Sequence, residues 1–301
     1  MQSINQLVEH PLLAEKQVTL VIKREDLLHP FISGNKYRKL KYNLLAAEAE
    51  NQTTILTFGG AYSNHIAATA YAAKEKGFRA IGIIRGEELE KSWQTNTTLE
   101  KAFDDGMRFK FISRNDYREK ETLEFIEGLK KEFGDFYLVP EGGTNSLAIK
   151  GCEEIITKDD EEFDVVCTSV GTGGTASGLI NASFPHQNVL GFSALKGDFL
   201  KDEIEKKVNN KRWQLLTEYH FGGYAKTSKE LILFINEFKE KTGITLDPIY
   251  TGKMIFGLFD MIKHDTFAPK TKILAIHTGG LQGIAGMNSV LKKKNLPLLN
   301  I

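Results

Sequence analysis

Residues 165–180 read VVCTSVGTGGTASGLI. A short apolar run ends at Val170, and Gly171, Gly173 and Gly174 then alternate with Thr172 before a helix-like segment opens near Thr175. Strand, glycine loop and helix in that order leave backbone N–H groups pointing at the positive end of a helix, a cradle for an anion and most naturally a phosphate. Gly171-x-Gly173-x-x-Ala176 also satisfies a loose dinucleotide fingerprint. That motif needs an acidic residue about 20 positions on, at the end of the next strand. The next apolar run, NVLGFSA, is followed by Leu195 and Lys196, and the first acid is Asp198, beyond a glycine. The dinucleotide reading weakens, and a P-loop is excluded because no lysine follows the glycines at the required place.

Working outward, short apolar runs recur along the chain: TLVIK, TILTF, AIGII, RFKFI, FYLVP, DVVCTSV, NVLGFSA and KILAIHT. Several are almost wholly apolar, the pattern of strands covered on both faces. Helix-length segments lie between them at 37–50, 64–76, 92–105, 117–133, 175–182 and 226–242. Alternation of strand and helix predicts an α/β fold, here two-lobed, each lobe a mainly parallel twisted sheet flanked by helices. The expected division places 1–46 and 142–301 in a larger, cofactor-binding lobe and 47–141 in a smaller one.

Lys plus Arg and Asp plus Glu each number 39 among 301 residues, so the formal net charge is zero. That argues against a broad nucleic-acid or anionic-membrane surface. Cys152 and Cys167 have no metal-ligand spacing, so neither a disulfide framework nor a metal site is expected. The N-terminal stretch lacks a signal pattern and no apolar run reaches membrane-span length, which predicts a cytoplasmic protein with no membrane partner.

Two further glycine turns follow apparent strands. In TILTFGGAYSNH, Gly59-Gly60 turn and Ser63-Asn64 stand where a helix N-cap belongs, an arrangement suited to a substrate carboxylate. In KILAIHTGG, Gly279-Gly280 permit close approach of chain and ligand. A third element is the lysine-rich run SGNKYRKLKYNLL at 33–45. Lys36 and Lys39 share one helix face, and a helix start beside a second cation favours the neutral, nucleophilic amine on Lys36. A phosphate cradle, a carboxylate cradle and a candidate lysine together point to pyridoxal 5′-phosphate (PLP) as cofactor.

SGNKYRKL, GGAYSNH, SVGTGGTASGL, LDPIYTGK and IHTGG occur in an order and spacing that resemble the D-cysteine desulfhydrase and 1-aminocyclopropane-1-carboxylate (ACC) deaminase family, PLP enzymes of the tryptophan-synthase-β type (fold type II). The resemblance implies that Lys36 is the Schiff-base lysine and that Lys39 contacts the phosphate, held also by Gly171, Thr172, Gly173, Gly174 and Thr175. It implies that Asn64 meets the cofactor's phenolic oxygen. Ser63 would stand beside the reacting carbons, and Asn64 and His65 would join it in holding the substrate carboxylate. Tyr250, in DPIYTGK, and Tyr224, in FGGYAKTS, match the two active-site tyrosines. A homodimer acting on a small amino acid is likewise implied.

Thr251 follows Tyr250 where ACC deaminases resembling this chain carry a glutamate facing the pyridine nitrogen. A hydroxyl there supports a neutral ring, sufficient when a good leaving group departs from the β-carbon. SNH in place of SNQ points the same way, whereas Tyr62 departs from the glutamine common to both branches. The resemblance therefore implies β-elimination from D-cysteine or a related D-amino acid, to pyruvate, ammonia and sulfide. Other outcomes of the same scaffold are ACC deamination to 2-oxobutanoate, a serine/threonine dehydratase-like or sulfhydrylase-like reaction, and a catalytically silent PLP-binding protein.

Overall fold

The computed structural model describes residues 2–32 and 34–300; Ser33 of the SGNKYRKL motif lies outside the described residues. The elements in chain order are β1 (Asn5–Leu7), α1 (Pro11–Glu15), β2 (Thr19–Lys23), α2 (Asn35–Ala49), β3 (Thr54–Gly59), α3 (Asn64–Lys76) and β4 (Arg79–Arg85). Then come α4 (Thr97–Asp104), β5 (Met107–Ile112), α5 (Leu123–Phe133), β6 (Tyr137–Val139), α6 (Ser146–Glu153), β7 (Val165–Val170) and α7 (Gly174–Ala182). The chain ends with β8 (Asn188–Ser193), α8 (Leu200–Glu205), β9 (Trp213–Leu216), α9 (Lys229–Thr242), α10 (Thr251–Lys263), β10 (Lys272–Ile276) and α11 (Ile284–Lys293).

Two sheets result. The larger runs β1-β2-β10-β7-β8-β9 and the smaller β5-β4-β3-β6. Every pairing is parallel except that of β1 with β2. Each apolar run of the sequence became a strand, and β3 and β7 are buried along their whole length, as helices on both faces require. The unread strands, β1 and β9, are short edges whose residues are largely exposed or half-buried, so alternation left no signal there.

Helix boundaries shifted where a capping side chain decides the start. Asn96 accepts the N–H groups of Thr98 and Leu99, so α4 begins five residues later than 92. Thr122 and Ser228 do the same for α5 and α9 through Phe125 and Leu231. The expected boundary at 46/47 falls inside α2, whose Leu40, Leu44 and Ala47 pack with Ile55 and Ile66 beside the smaller sheet.

Helix α2 is held by two glycines at close quarters. Gly34, at φ +58, precedes it, and a Cβ there would lie 2.0 Å from the Thr278 carbonyl oxygen at the end of β10. The Asn35 N–H donates to that same oxygen at 3.3 Å, and the Asn35 side-chain amide donates to Thr175 Oγ1 at 2.7 Å. Further along, Gly151 of α6 touches the helix directly, and a Cβ would stand 2.0 Å from the Arg38 carbonyl oxygen. The start of α2 is thus fixed against β10, α6 and α7 together. Replacing Gly151 with valine should cost about 3 kcal/mol, the upper end of overpacking penalties, since backbone cannot yield as a side chain does. Urea denaturation showing no loss would contradict this packing.

Candidate active site

The C-terminal ends of β3, β6, β7 and β10 and the start of α2 surround a cavity of about 540 Å³. Its wall includes Lys36, Lys39, Ser63, Asn64, His65, Gly171, Thr172, Gly173, Thr175, Tyr224 and Tyr250, so nearly all the residues singled out in the sequence meet at one place.

Lys36 and Lys39 lie one helical turn apart and converge on one carbonyl. Each donates from Nζ to the Gly142 oxygen at 3.1 Å, and Lys39 also donates to Thr144 Oγ1 at 3.0 Å. Burial, and next the Lys39 charge, hold Lys36 well below the ordinary lysine range; burial lowers Lys39 as well. Among the described residues neither has an acidic partner. The two neighbouring cations of the same helix do. Arg38 makes a buried two-pronged pair with Glu25 at 2.9 and 3.0 Å, and Lys41 pairs with Glu154 at 2.7 Å.

Facing the lysines is the loop read first in the sequence. Gly173 is left-handed (φ +82) and α7 starts at Gly174, where the first N–H groups of a helix have no internal acceptor. A Cβ on Gly174 would lie 3.1 Å from Lys39 Nζ, so side chains there would fill the space between loop and lysine. A half-buried and a buried lysine amine with no acidic partner among the described residues, opposite a helix N-terminus, fit a doubly charged phosphate beside a reactive lysine.

The α3 start holds the second cradle. Ser63 is its N-cap, its Oγ accepting the Ile66 N–H at 3.3 Å. Asn64 accepts from Gln282 Nε2 at 2.6 Å. The His65 ring is turned into the protein: Nε2 meets Thr57 Oγ1 at 2.8 Å and Nδ1 meets Thr69 Oγ1 at 3.5 Å. Because Thr57 gives its proton to the Val139 carbonyl (2.8 Å), His65 must donate from Nε2. Burial and the two lysine charges depress its pKa far below the usual value, keeping it neutral. A Cβ on Gly143 would lie 3.0 Å from His65 Cε1, so the ring supports the turn that receives both lysines. The His65 ring is thus engaged within the protein by two threonine hydroxyls.

Thr251 departs from expectation. It is fully buried, absent from the cavity wall, and its Oγ1 donates to Asp247 Oδ1 at 2.8 Å. The reason is local: Asp247 also accepts the N–H groups of Ile249, Tyr250 and Thr251, capping α10, and Thr251 is consumed by that cap. Two other hydroxyl residues in the cavity wall are Ser169, at the end of β7, and Thr278, just beyond β10, their oxygens 3.1 Å apart. Residues 250–263, read only as a loop around Tyr250, form the cap and body of α10.

Tyr250 and Tyr224 meet edge to face with ring centroids 6.2 Å apart. Burial raises the pKa of each, and the neighbouring Tyr250 and the Arg85 charge partly offset the rise at Tyr224. Tyr224 rides on a strained turn in which Phe221, Gly222, Gly223 and Ala225 all have positive φ. Buried Lys253 secures that turn, donating to the carbonyls of His220 and Gly223 at 2.9 Å each.

The sequence also offered PEGGTN, 140–145, a glycine pair after a strand like the three recognised. It supplies the Gly142 carbonyl and Thr144, which was not anticipated. Ser169 and Thr278 were likewise missed, although each stands at a strand end beside a recognised glycine turn. No group of residues among those described could hold a metal ion, and no helix is long and apolar enough to cross a membrane. Cys152 and Cys167 are both buried.

A lysine at a helix start, facing a glycine phosphate cradle between two parallel sheets, defines a PLP enzyme of fold type II. The chain belongs to the pyridoxal-phosphate-dependent enzyme family, whose profile matches residues 3–279. It is 34% identical over 293 residues to a Pyrococcus abyssi protein provisionally named 1-aminocyclopropane-1-carboxylate deaminase, covering 90% of this chain and 87% of that one. It is 32% identical over 297 residues to an Arabidopsis thaliana protein named bifunctional D-cysteine desulfhydrase/1-aminocyclopropane-1-carboxylate deaminase, mitochondrial, covering 88% and 73%. The crystal structure of an ACC deaminase homologue superposes with a TM-score of 0.85 at 28% identity, covering 97% and 94%.

Lys253 carries a pKa pushed down to about 8 by burial, yet its neutral amine keeps two hydrogens for two carbonyls, so the turn stays tied through that titration. Lys253→Met removes both bonds. Turnover should fall about tenfold, as a barrier rise of about 1.4 kcal/mol gives, with faster amide exchange over 220–226. Unchanged exchange there would show that the turn is held by other means.

Proposed function

We propose that this chain is a deaminating lyase that carries out β-elimination on D-cysteine or a closely related small D-amino acid, giving pyruvate, ammonia and sulfide. The observation that carries the reading is the Ser169–Thr278 hydroxyl pair in the cavity wall. The carboxylates that border the cavity lie elsewhere: Glu121 and Glu203 are exposed and Glu141 pairs with Lys120 at 3.4 Å. Hydroxyls opposite the pyridine nitrogen suit a neutral ring, and a thiolate leaves readily enough to need no stronger sink. The name of the Arabidopsis relative supports the same substrate.

When bound, PLP supplies the electron sink for charge developing at the substrate's α-carbon. Lys39, Thr172 and the N–H groups of 173–175 would hold its phosphate, Asn64 its phenolic oxygen, and Ser169 and Thr278 its ring nitrogen. Lys36 would anchor it. The main-chain N–H groups at the start of α3, with the Ser63 hydroxyl, hold the substrate carboxylate. Lys36 Nζ, neutral because it is enclosed and repelled by Lys39, takes the α-proton. Tyr250 and Tyr224, kept protonated by burial, donate toward the departing sulfur. Water then converts the released unsaturated amine to pyruvate and ammonia. That tyrosine pair would equally serve the protonation that opens a cyclopropane ring, so ACC deamination is the second reading, in keeping with the names of both relatives.

Purified protein should release sulfide and pyruvate from D-cysteine in preference to L-cysteine, D-serine and ACC; 2-oxobutanoate from ACC as the main product would favour the second reading. Lys36→Ala should remove both turnover and the absorbance of covalently held cofactor. Retention of both would refute the assignment of that lysine.

Cofactor uptake also has a defined pH dependence. The neutral amine is the nucleophile, so uptake rises with pH and levels off below the ordinary lysine range. Lys39→Met removes a repelling charge and should move that midpoint upward. A midpoint unmoved or lowered would contradict the coupling of the two lysines.

A further inference from the structure

Past Gly60, Arg85, Glu141 and Tyr224 the cavity opens into a second chamber of about 860 Å³. D-cysteine, whose side chain is one methylene and one sulfur, leaves this chamber unused. At its neck stands Arg85, the last residue of β4, with no acidic partner among the described residues. Its guanidinium lies 5.6 Å above the Tyr117 ring, and a Cβ on Gly60 would be 3.7 Å from its Nη2, so glycine leaves that side of the group open. The acids of the chamber are engaged elsewhere: Glu141 with Lys120 at 3.4 Å and Glu88 with Arg114 at 2.6 Å. Arg118, Lys226 and Lys294, in the same wall, add positive charge without acidic partners among the described residues. Tyr62, Ile249 and Met287 supply apolar surface, which strengthens a charge interaction beside it.

We propose that Arg85 reads a carboxylate on the departing side of the substrate, so that the chain favours D-amino acids whose β-substituent ends in an acid. The fork of a guanidinium matches a carboxylate two-pronged, and the chamber gives the extra length room. The proposal rests on the elimination reading above. Arg85 also lowers the Tyr224 pKa, but an effect exerted through Tyr224 would act on all substrates alike.

The test is a pair of thioethers that differ in charge and hardly in shape, S-carboxymethyl-D-cysteine and S-carbamoylmethyl-D-cysteine. In each, the α-proton is removed, the Cβ–S bond breaks with its electrons going to sulfur, and uptake of one water yields pyruvate and ammonia. The thiol released is mercaptoacetate or mercaptoacetamide. The ratio of kcat/KM for the acid over the amide, measured on one preparation, should be about tenfold or more. It should fall to near one in Arg85→Gln and recover in part in Arg85→Lys. A ratio near one in the unaltered protein, a ratio that survives Arg85→Gln, or turnover of D-cysteine with neither thioether accepted would each overturn the proposal. Failure to turn over any D-amino acid would instead refute the elimination reading. Arg85 is then judged by dissociation constants for the same pair in Lys36→Ala protein supplied with PLP, where the same ratio and its loss in Arg85→Gln decide the matter.

Discussion

Two lysine amines, Lys36 Nζ and Lys39 Nζ, share the carbonyl of Gly142 with no acidic partner among the described residues. An enclosed charge is tolerated when a counter-ion or dense hydrogen bonding compensates it, and here the partners the protein supplies are one carbonyl and a few hydroxyls. The contrast inside one helix makes the point. Arg38 and Lys41 have been given Glu25 and Glu154, so acids were available to the fold and were placed on the other side of α2. The cavity side keeps its charge uncompensated and its amines closer to neutral. A phosphate could relieve one lysine, and a neutral amine on the other is what covalent chemistry needs.

That requirement explains the unusual density of glycine contacts near α2. Gly34 lets the helix start against the Thr278 carbonyl, and Gly151 lets α6 lie against its backbone. Asn35 ties the same end to Thr175 beside the glycine loop, and the Asn43 side chain of α2 exchanges hydrogen bonds with Asn145, the N-cap of α6. A lysine side chain is long and mobile. Its useful position comes from fixing the helix that carries it and the carbonyl that receives it.

Much of this was legible because strand, glycine turn and helix are neighbours in sequence. The loop at 171–175, the cap at 63–64 and the pair Lys36 and Lys39 are local patterns, and each appears in the cavity as a unit. What escaped reading turns on which neighbour claims a side chain. Thr251 carries the right hydroxyl, but Asp247 four residues earlier claims it, whereas Thr278 carries the same group where β10 delivers it to the cavity. Asp247 lies inside the LDPIYTGK motif, so that signal was local, whereas the delivery of Thr278 to the cavity follows only from packing. His65 is similar: its place at a helix start is visible in the sequence, but the Thr57 hydroxyl that turns its ring inward lies on β3 and follows from packing. Helix α10 escaped because it is buried on nearly every side, which blurs the alternation that marks a half-buried helix.

The parallel arrangement of both sheets divides the labour of the site. Parallel strands present their carboxyl ends on one edge, so β7 and β10 bring the phosphate loop and the Ser169–Thr278 pair to the cleft. By the same geometry β3, β4 and β6 bring the Ser63 cap, Arg85 and the Gly142 turn to it from the smaller sheet. Arg85 ends a strand whose five interior residues are all buried, so its backbone position is fixed while its side chain reaches the cleft. A change at that position can alter the charge presented to a substrate without disturbing the buried strand behind it. Selectivity in such a site can thus shift by single strand-end substitutions, while the two lysines and their carbonyl stay as they are.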